Sequence, residues 1–428
     1  MRTFSILLLF ASVAPAWDNP ELRKARIKGI RDYAKQGSGA ISKIEPYLQD
    51  SEDEVRWEAV KAIAQIGSQR SLDPLIAATR DEQPEIQVRA TDGLVNFYLP
   101  GYLKTGLTAS LRRTTTALKG RFTDTNNDIV DPYVTVRPDA IEAIGKIARG
   151  SVSMEARANA ARGLGILRGR AALPALYDAL QSKNDMVLYE ALIAIQKIRD
   201  PESAPKVQYL LRDLKERVQI AAIETAGILR NRAALADLRD VLERARTNKI
   251  RQTALTAIAM MPDAQSRPLY DRYFTDRDEG LRGAAAEGYA RLKTVSDLPM
   301  IEKAFSEETK MGPRLSLAFA AVMLGRHELT EFSALQYLVN TLNSKLYRDS
   351  AEPLLVELAR DEEVRKAIYP ALSAPNATKE EKIRIARVLG QTGNKETISV
   401  LEPLKGDSDA EVAQEGVRAI QNLTARLP

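Results

Sequence analysis

Asp53 to Gly67 reads D-E-V-R-W-E-A-V-K-A-I-A-Q-I-G, and this stretch decides the fold. Val55, Ala59, Ala62, Ile63 and Ile66 recur at steps of three and four, which places them on one face of a helix. Asp53 and Glu54 open it, where the positive end of the helix dipole favours acids. Gly67 closes it, where an exit can use positive φ.

The phrase returns down the chain. Its arginine recurs as Arg89, Arg157, Arg251, Arg282 and Arg384, and related helices start near Met186, Arg217 and Ala410. Arg56 to Arg89 is 33 residues and Arg251 to Arg282 is 31. A step in the low thirties is the length of a helix pair. A second phrase with an early proline lies between: L-D-P-L at Leu72, A-L-P-A-L at Ala172, S-A-P-K-V at Ser203, S-R-P-L at Ser266, D-L-P-M at Asp297 and L-E-P-L at Leu401. Proline is tolerated in a first helical turn, where its missing amide has no partner to lose. Each unit is therefore a proline-bearing first helix, a short turn and a second helix of the Asp53 type. Neither helix can bury its apolar stripe alone, so the units must stack.

The D-x-x-V-R-x-x-A-x-x-A-L/I-G phrase and the proline phrase resemble the HEAT-like repeats of phycobilisome lyases. The resemblance implies an all-α, right-handed α-solenoid of about ten HEAT-like helix pairs with one irregular insertion. It also implies that Arg56, Arg89, Arg157, Arg251, Arg282 and Arg384 bond across to adjacent helices as a structural ladder. It leaves function open, because the superfold hosts scaffolds, lyases, hydroxylases and DNA-repair enzymes.

Residues 1–16 read as an export signal: Arg2, an apolar run from Phe4 to Val13, then Ala14-Pro15-Ala16. The run is too short to span a bilayer, so the expected mature chain begins at Trp17 and is periplasmic or extracellular. Residues 17–98 carry a basic capping helix and the first repeats, 99–137 an irregular basic insertion, and 138–428 the rest of the array. Without Arg2 the formal charge falls from +5 to +4, too small an excess to argue for nucleic acid. No second apolar run is long enough for a transmembrane segment.

The insertion breaks the repeat. Leu103, Leu107, Leu111 and Leu118 suit one helical face, with Lys104, Arg112, Arg113, Lys119 and Arg121 around it and Tyr98 and Tyr102 at its edge. No acid occurs between Asp92 and Asp124. The pattern suits an anionic membrane or wall surface, an acidic partner, or an arm packed on the rod with its charges solvated. Asp124, Asn126, Asp128 and Asp131 fail a calcium loop, because Ile129 stands where glycine is needed and Thr135 where glutamate is needed. A polar turn, with these side chains bonding their own backbone, fits better.

Catalytic machinery is thin. His327 is the single histidine and there is no cysteine, which removes thiol chemistry and leaves metal sites without their usual ligands. No phosphate-cradling glycine loop is present. The expected function is a non-catalytic protein-interaction scaffold, without cofactor or metal, that binds a protein partner through the concave faces of its second helices and the insertion. The alternatives are a HEAT-like lyase or other carboxylate-based enzyme, or a binder of anionic surfaces. On the second helices Trp57, Lys61, Asp92, Asn96, Asn159, Arg162 and Tyr189 are expected to face a partner. Packing between units is the competing role for Trp57 and Tyr189.

Overall fold

The computed structural model describes residues 20–103 and 128–427. The export signal and most of the insertion, including Lys104, Arg112, Arg113, Lys119 and Arg121, lie outside the described residues. Among the described residues there are helices and turns and no strand. The chain divides into two compact units. One holds residues up to Ile129 together with Val136–Ala179, and the other holds Val130–Thr135 together with Leu180–Pro428.

In the first unit the Asp53–Ile66 helix packs between Pro20–Ala34 and Pro84–Tyr98. Val55, Ala59, Ala62 and Ile63 are buried as their spacing requires. Val60, Ala64 and Glu58 are buried as well. A single buried face was the expectation; a helix flanked by the capping helix, the next second helix and its own first helix is covered on more sides. Gly67 exits it at φ 57, with its amide donating to Ile63 O.

The insertion interrupts the sequence but not the stack. Pro84–Tyr98 packs directly on Met154–Ile166, and Pro138–Gly150 serves as the first helix of that repeat. Gly163 allows this approach, because a Cβ there would lie 3.1 Å from Thr91 Cγ2 and 3.3 Å from Val95 Cγ2. The expected break in register therefore does not interrupt the packing of Pro84–Tyr98 on Met154–Ile166, and residues 104–127 lie outside the described residues.

In the second unit the second helices follow one another without a gap: Asp185–Ile198, Glu216–Ile228, Asn248–Ala259, Glu279–Leu292, Met311–Met323, Arg348–Leu358, Lys379–Thr392 and Ala410–Thr424. Arg348–Leu358 takes its place in this order although it lacks the arginine phrase. The first helices are short, as in Leu72–Ala78, Leu173–Ala179 and Arg267–Tyr273. Each is led in by a 3₁₀ turn, here Gln69–Ser71, Arg170–Ala172 and Ala264–Ser266.

The arginine ladder holds in part. Arg56 Nε donates to Asp81 at 2.7 Å and its Nη1 to Asp50 O at 2.9 Å. Arg282 repeats this with Glu308 at 2.9 Å and Asp276 O at 2.8 Å. Arg384 binds Asp349, Glu352 and Glu380, and Arg157 reaches Ala148 O. Arg251 departs from the ladder by bonding Asn248 in its own first turn. Arg89 lies over the Trp57 ring.

The second-helix face as candidate partner surface

Trp57 is half-buried, with Lys61 Nζ 5.2 Å and the Arg89 guanidinium 5.5 Å from its ring centroid. Cations over an indole face are attracted by its quadrupole, so the ring is held rather than free to swing. Beside it opens a cleft of about 390 Å³, with Ile27 and Ile86 on its apolar side and Asp53, Glu54, Glu58 and Glu85 among its acids. Glu58, which the sequence did not single out, is 5% exposed. Arg31 donates to it from Nε at 2.9 Å and Nη2 at 3.2 Å, and Lys61 Nζ lies 3.2 Å away. Desolvation pushes the Glu58 carboxyl up; Arg31 and Lys61 outweigh it and hold the pKa below the usual value.

The neighbouring positions have structural duties. Asn159 is 8% exposed, and its Nδ2 donates to Asp92 Oδ1 at 2.9 Å. Asn96 Oδ1 accepts the Leu103 amide at 2.8 Å, which fixes the start of the insertion. Tyr98 is 9% exposed and its hydroxyl accepts the Arg137 amide at 3.1 Å, which fixes the end. Tyr98 thus holds the insertion's exit rather than presenting an edge to a partner. Tyr102 is half-buried in the turn that follows, its amide donating to Leu99 O. Arg162 is half-buried on the Met154–Ile166 helix.

In the second unit Tyr189 stands at the register position of Trp57, and the Arg217 guanidinium lies 3.7 Å from its ring centroid. Glu190 stands where Glu58 does and is likewise buried. Trp57 and Lys61 are therefore brought together, as are Asp92 and Asn159, while Tyr189 belongs to a separate cluster. Matching Trp57-Glu58 against Tyr189-Glu190 was the signal that could have drawn out the buried acids.

The polar-turn reading is corrected at Asp131 alone, and Asp124 and Asn126 lie outside the described residues. The Asp131 carboxylate accepts from Arg418 Nε at 2.8 Å, Arg418 Nη2 at 2.9 Å and Asn422 Nδ2 at 3.2 Å, and not from its own backbone. His327 Nδ1 lies 3.1 Å from Glu363 Oε2. Among the described residues no group of three His, Cys, Asp or Glu side chains could hold a metal ion, and no helix is long and apolar enough to cross a membrane.

A family profile described as HEAT repeats matches residues 15–98, 141–226 and 181–252. No curated protein matches the chain. Three solved structures are similar. Human deoxyhypusine hydroxylase in complex with glycerol is 17% identical at a TM-score of 0.28, covering 67% of this chain and 96% of that one. The complex of CpcE and CpcF of phycocyanin lyase from a Nostoc species is 16% identical at 0.32, covering 66% and 94%. A chain from a structure of the interaction between cadherin and β-catenin is 13% identical at 0.40, covering 95% and 98%.

Proposed function

We propose that the chain is a non-catalytic protein-interaction scaffold of an exported compartment. HEAT repeats supply, within each unit, second helices packed one on the next. The observation that carries the reading is Trp57, a large amphipathic ring locked between Lys61 and Arg89 at the edge of an acid-rimmed cleft. Rigid aromatics in preformed clefts are where binding energy concentrates. The buried acid beside it, Glu58, is neutralised by Arg31 and Lys61, which suits a surface that positions a partner better than one that moves protons. The described ends of the basic insertion are fixed beside this helix row, Leu103 by Asn96 and Arg137 by Tyr98.

A lyase or other carboxylate-based enzyme is the second reading, and Glu224 favours it. Desolvation holds this half-buried carboxyl above its usual value, with Lys249 opposing only in part, and raised carboxyls are candidate proton donors.

The test uses protein recovered from culture medium or periplasm. N-terminal sequencing should begin at Trp17; recovery of Met1 in the cytosol refutes export. A partner captured by the wild type, then purified, should bind Trp57→Ala at least tenfold more weakly, as expected for an anchor residue. Equal binding by Trp57→Ala and by a variant lacking residues 104–127 would remove the scaffold reading.

A further inference from the structure

The Trp57 and Tyr189 clusters share a register, and one position of it changes sign. Trp57 to Tyr189 is 132 residues, and the same step carries Glu58 onto Glu190, Glu85 onto Arg217 and Ile86 onto Val218. Glu58, Glu190, Ile86 and Val218 are all buried. In both units the two helices concerned pack on one another, Asp53–Ile66 on Pro84–Tyr98 and Asp185–Ile198 on Glu216–Ile228. In the second unit this position supplies a cation, since the Arg217 guanidinium lies 3.7 Å from the Tyr189 ring centroid. In the first unit the position holds Glu85, which is exposed and has no ion-pair partner among the described residues. The space beside the ring is there the cleft of about 390 Å³. Lys61 and Arg89 do not replace the missing cation, because they reach Trp57 from the positions that Ile193 and Ala221 take in the second unit.

The acids of the cleft are not equally committed. Glu58 is held by Arg31 and Lys61, and Asp53 by Arg56 Nη2 at 2.8 Å. Glu54 has Arg23 at 3.4 Å, in a pair whose carboxylate is 66% exposed, and exposed pairs of this kind exchange easily with solvent or a ligand. Glu85 has none. Two carboxylates, Glu54 and Glu85, are therefore available beside an apolar wall of Ile27, Trp57 and Ile86.

We infer that this cleft takes a lysine or arginine side chain from a basic segment of the protein partner, in the place that Arg217 fills in the second unit. The inference rests on the scaffold reading and names the chemistry of its partner. A long cationic side chain suits both halves of the cleft. Its methylenes lie along the apolar wall, and its head meets the carboxylates. The indole adds an attraction that a neutral side chain would not feel. An acidic side chain would meet two like charges, which excludes it.

The experiment is a fluorescence titration of the full-length protein with acetyl-Leu-Lys-Leu-amide, and with the same peptide carrying norleucine or glutamate at its centre. Trp17→Phe leaves Trp57 as the sole tryptophan, so the emission reports this ring. The lysine peptide should bind saturably, at least tenfold more tightly than the other two, and more weakly as salt is raised. Glu85→Gln should weaken it about fivefold, the size of one exposed pair. Glu85→Arg, which gives the first unit the cation that Arg217 gives the second, should abolish it. Glu45→Gln, which removes an exposed acid outside the cleft, should leave it unchanged. Equal binding of the norleucine peptide would assign an apolar occupant, and equal binding of the glutamate peptide would remove charge selection. Either result, no saturable binding of the lysine peptide, or undiminished binding by Glu85→Arg overturns the cationic occupant. The scaffold reading would survive all of these, because it falls only with the captured partner and Trp57→Ala.

Discussion

Arg291 shows how a single side chain can be indispensable without touching a ligand. It is 8% exposed. Burial opposes its charge, but Glu357 and Glu287 together outweigh that cost and raise its pKa. Arg291→Met would keep the packing on Phe319 and leave two carboxylates without their fork. Breaking a buried pair in this way costs roughly 3–5 kcal/mol. Chemical denaturation should show that loss, and adding Glu287→Gln and Glu357→Gln should recover part of it; full stability of the single variant would mean that water takes over the role of the guanidinium. Glu224 is the opposite case. Its carboxyl pKa is raised in the folded protein by desolvation, so the folded state holds the proton more tightly than the unfolded state. By linkage its contribution weakens stability as pH rises from the ordinary glutamate range through the folded value. Glu224→Gln should therefore raise the melting temperature at pH 7 and leave it unchanged near pH 3. A lower melting temperature at pH 7 would show that the charge is supported after all.

At the scale of the element, the Glu279–Leu292 helix packs where only glycine fits. Gly288 faces the buried ring of Tyr270, and a Cβ there would overlap it. Gly288→Ala should lose roughly 1–3 kcal/mol by overpacking, and Tyr270→Leu in the same chain should restore part of it. If Gly288→Ala melts like wild type, the two helices have room to part. This approach also separates what the sequence could say from what it could not. The second helices were legible because Val55, Ala59 and Ile63 repeat at helical spacing, and that pattern is local. The 3₁₀ lead-ins were hidden, since a serine or alanine before a proline phrase reads equally well as first turn or as loop. The stacking of Pro84–Tyr98 on Met154–Ile166 was hidden too, because it depends on Gly163 meeting Thr91 and Val95 some seventy positions away. Trp57 was found by its type, but its fixing by Arg89 belongs to the next helix. The left-handed exit was legible at Gly67, where residue type reveals conformation, and invisible at Arg199 and Arg230, where it does not.

At the scale of the molecule, the second unit is closed on itself by an ion pair between residues 287 positions apart. Val130–Thr135 belongs to that unit although the chain on both sides of it does not. Val130 is buried, and Asp131 takes three donor atoms from Arg418 and Asn422 on the Ala410–Thr424 helix. This short segment thus supplies a carboxylate partner to the Ala410–Thr424 helix from the end of the insertion. Charge-assisted hydrogen bonds of this kind contribute roughly 1.5–3 kcal/mol. Asp131→Ala should therefore speed amide exchange in residues 130–135 by about tenfold or more, since each 1.4 kcal/mol is about a factor of ten. The Ala410–Thr424 helix should lose protection with it, while Asp53–Ile66 in the first unit keeps its own. Asp131→Asn, which retains acceptor and shape but not charge, should fall between. Exchange in 130–135 as slow as in wild type would show that Val130 burial holds the segment without the carboxylate, and the ion pair would then be a consequence of the docking and not its cause.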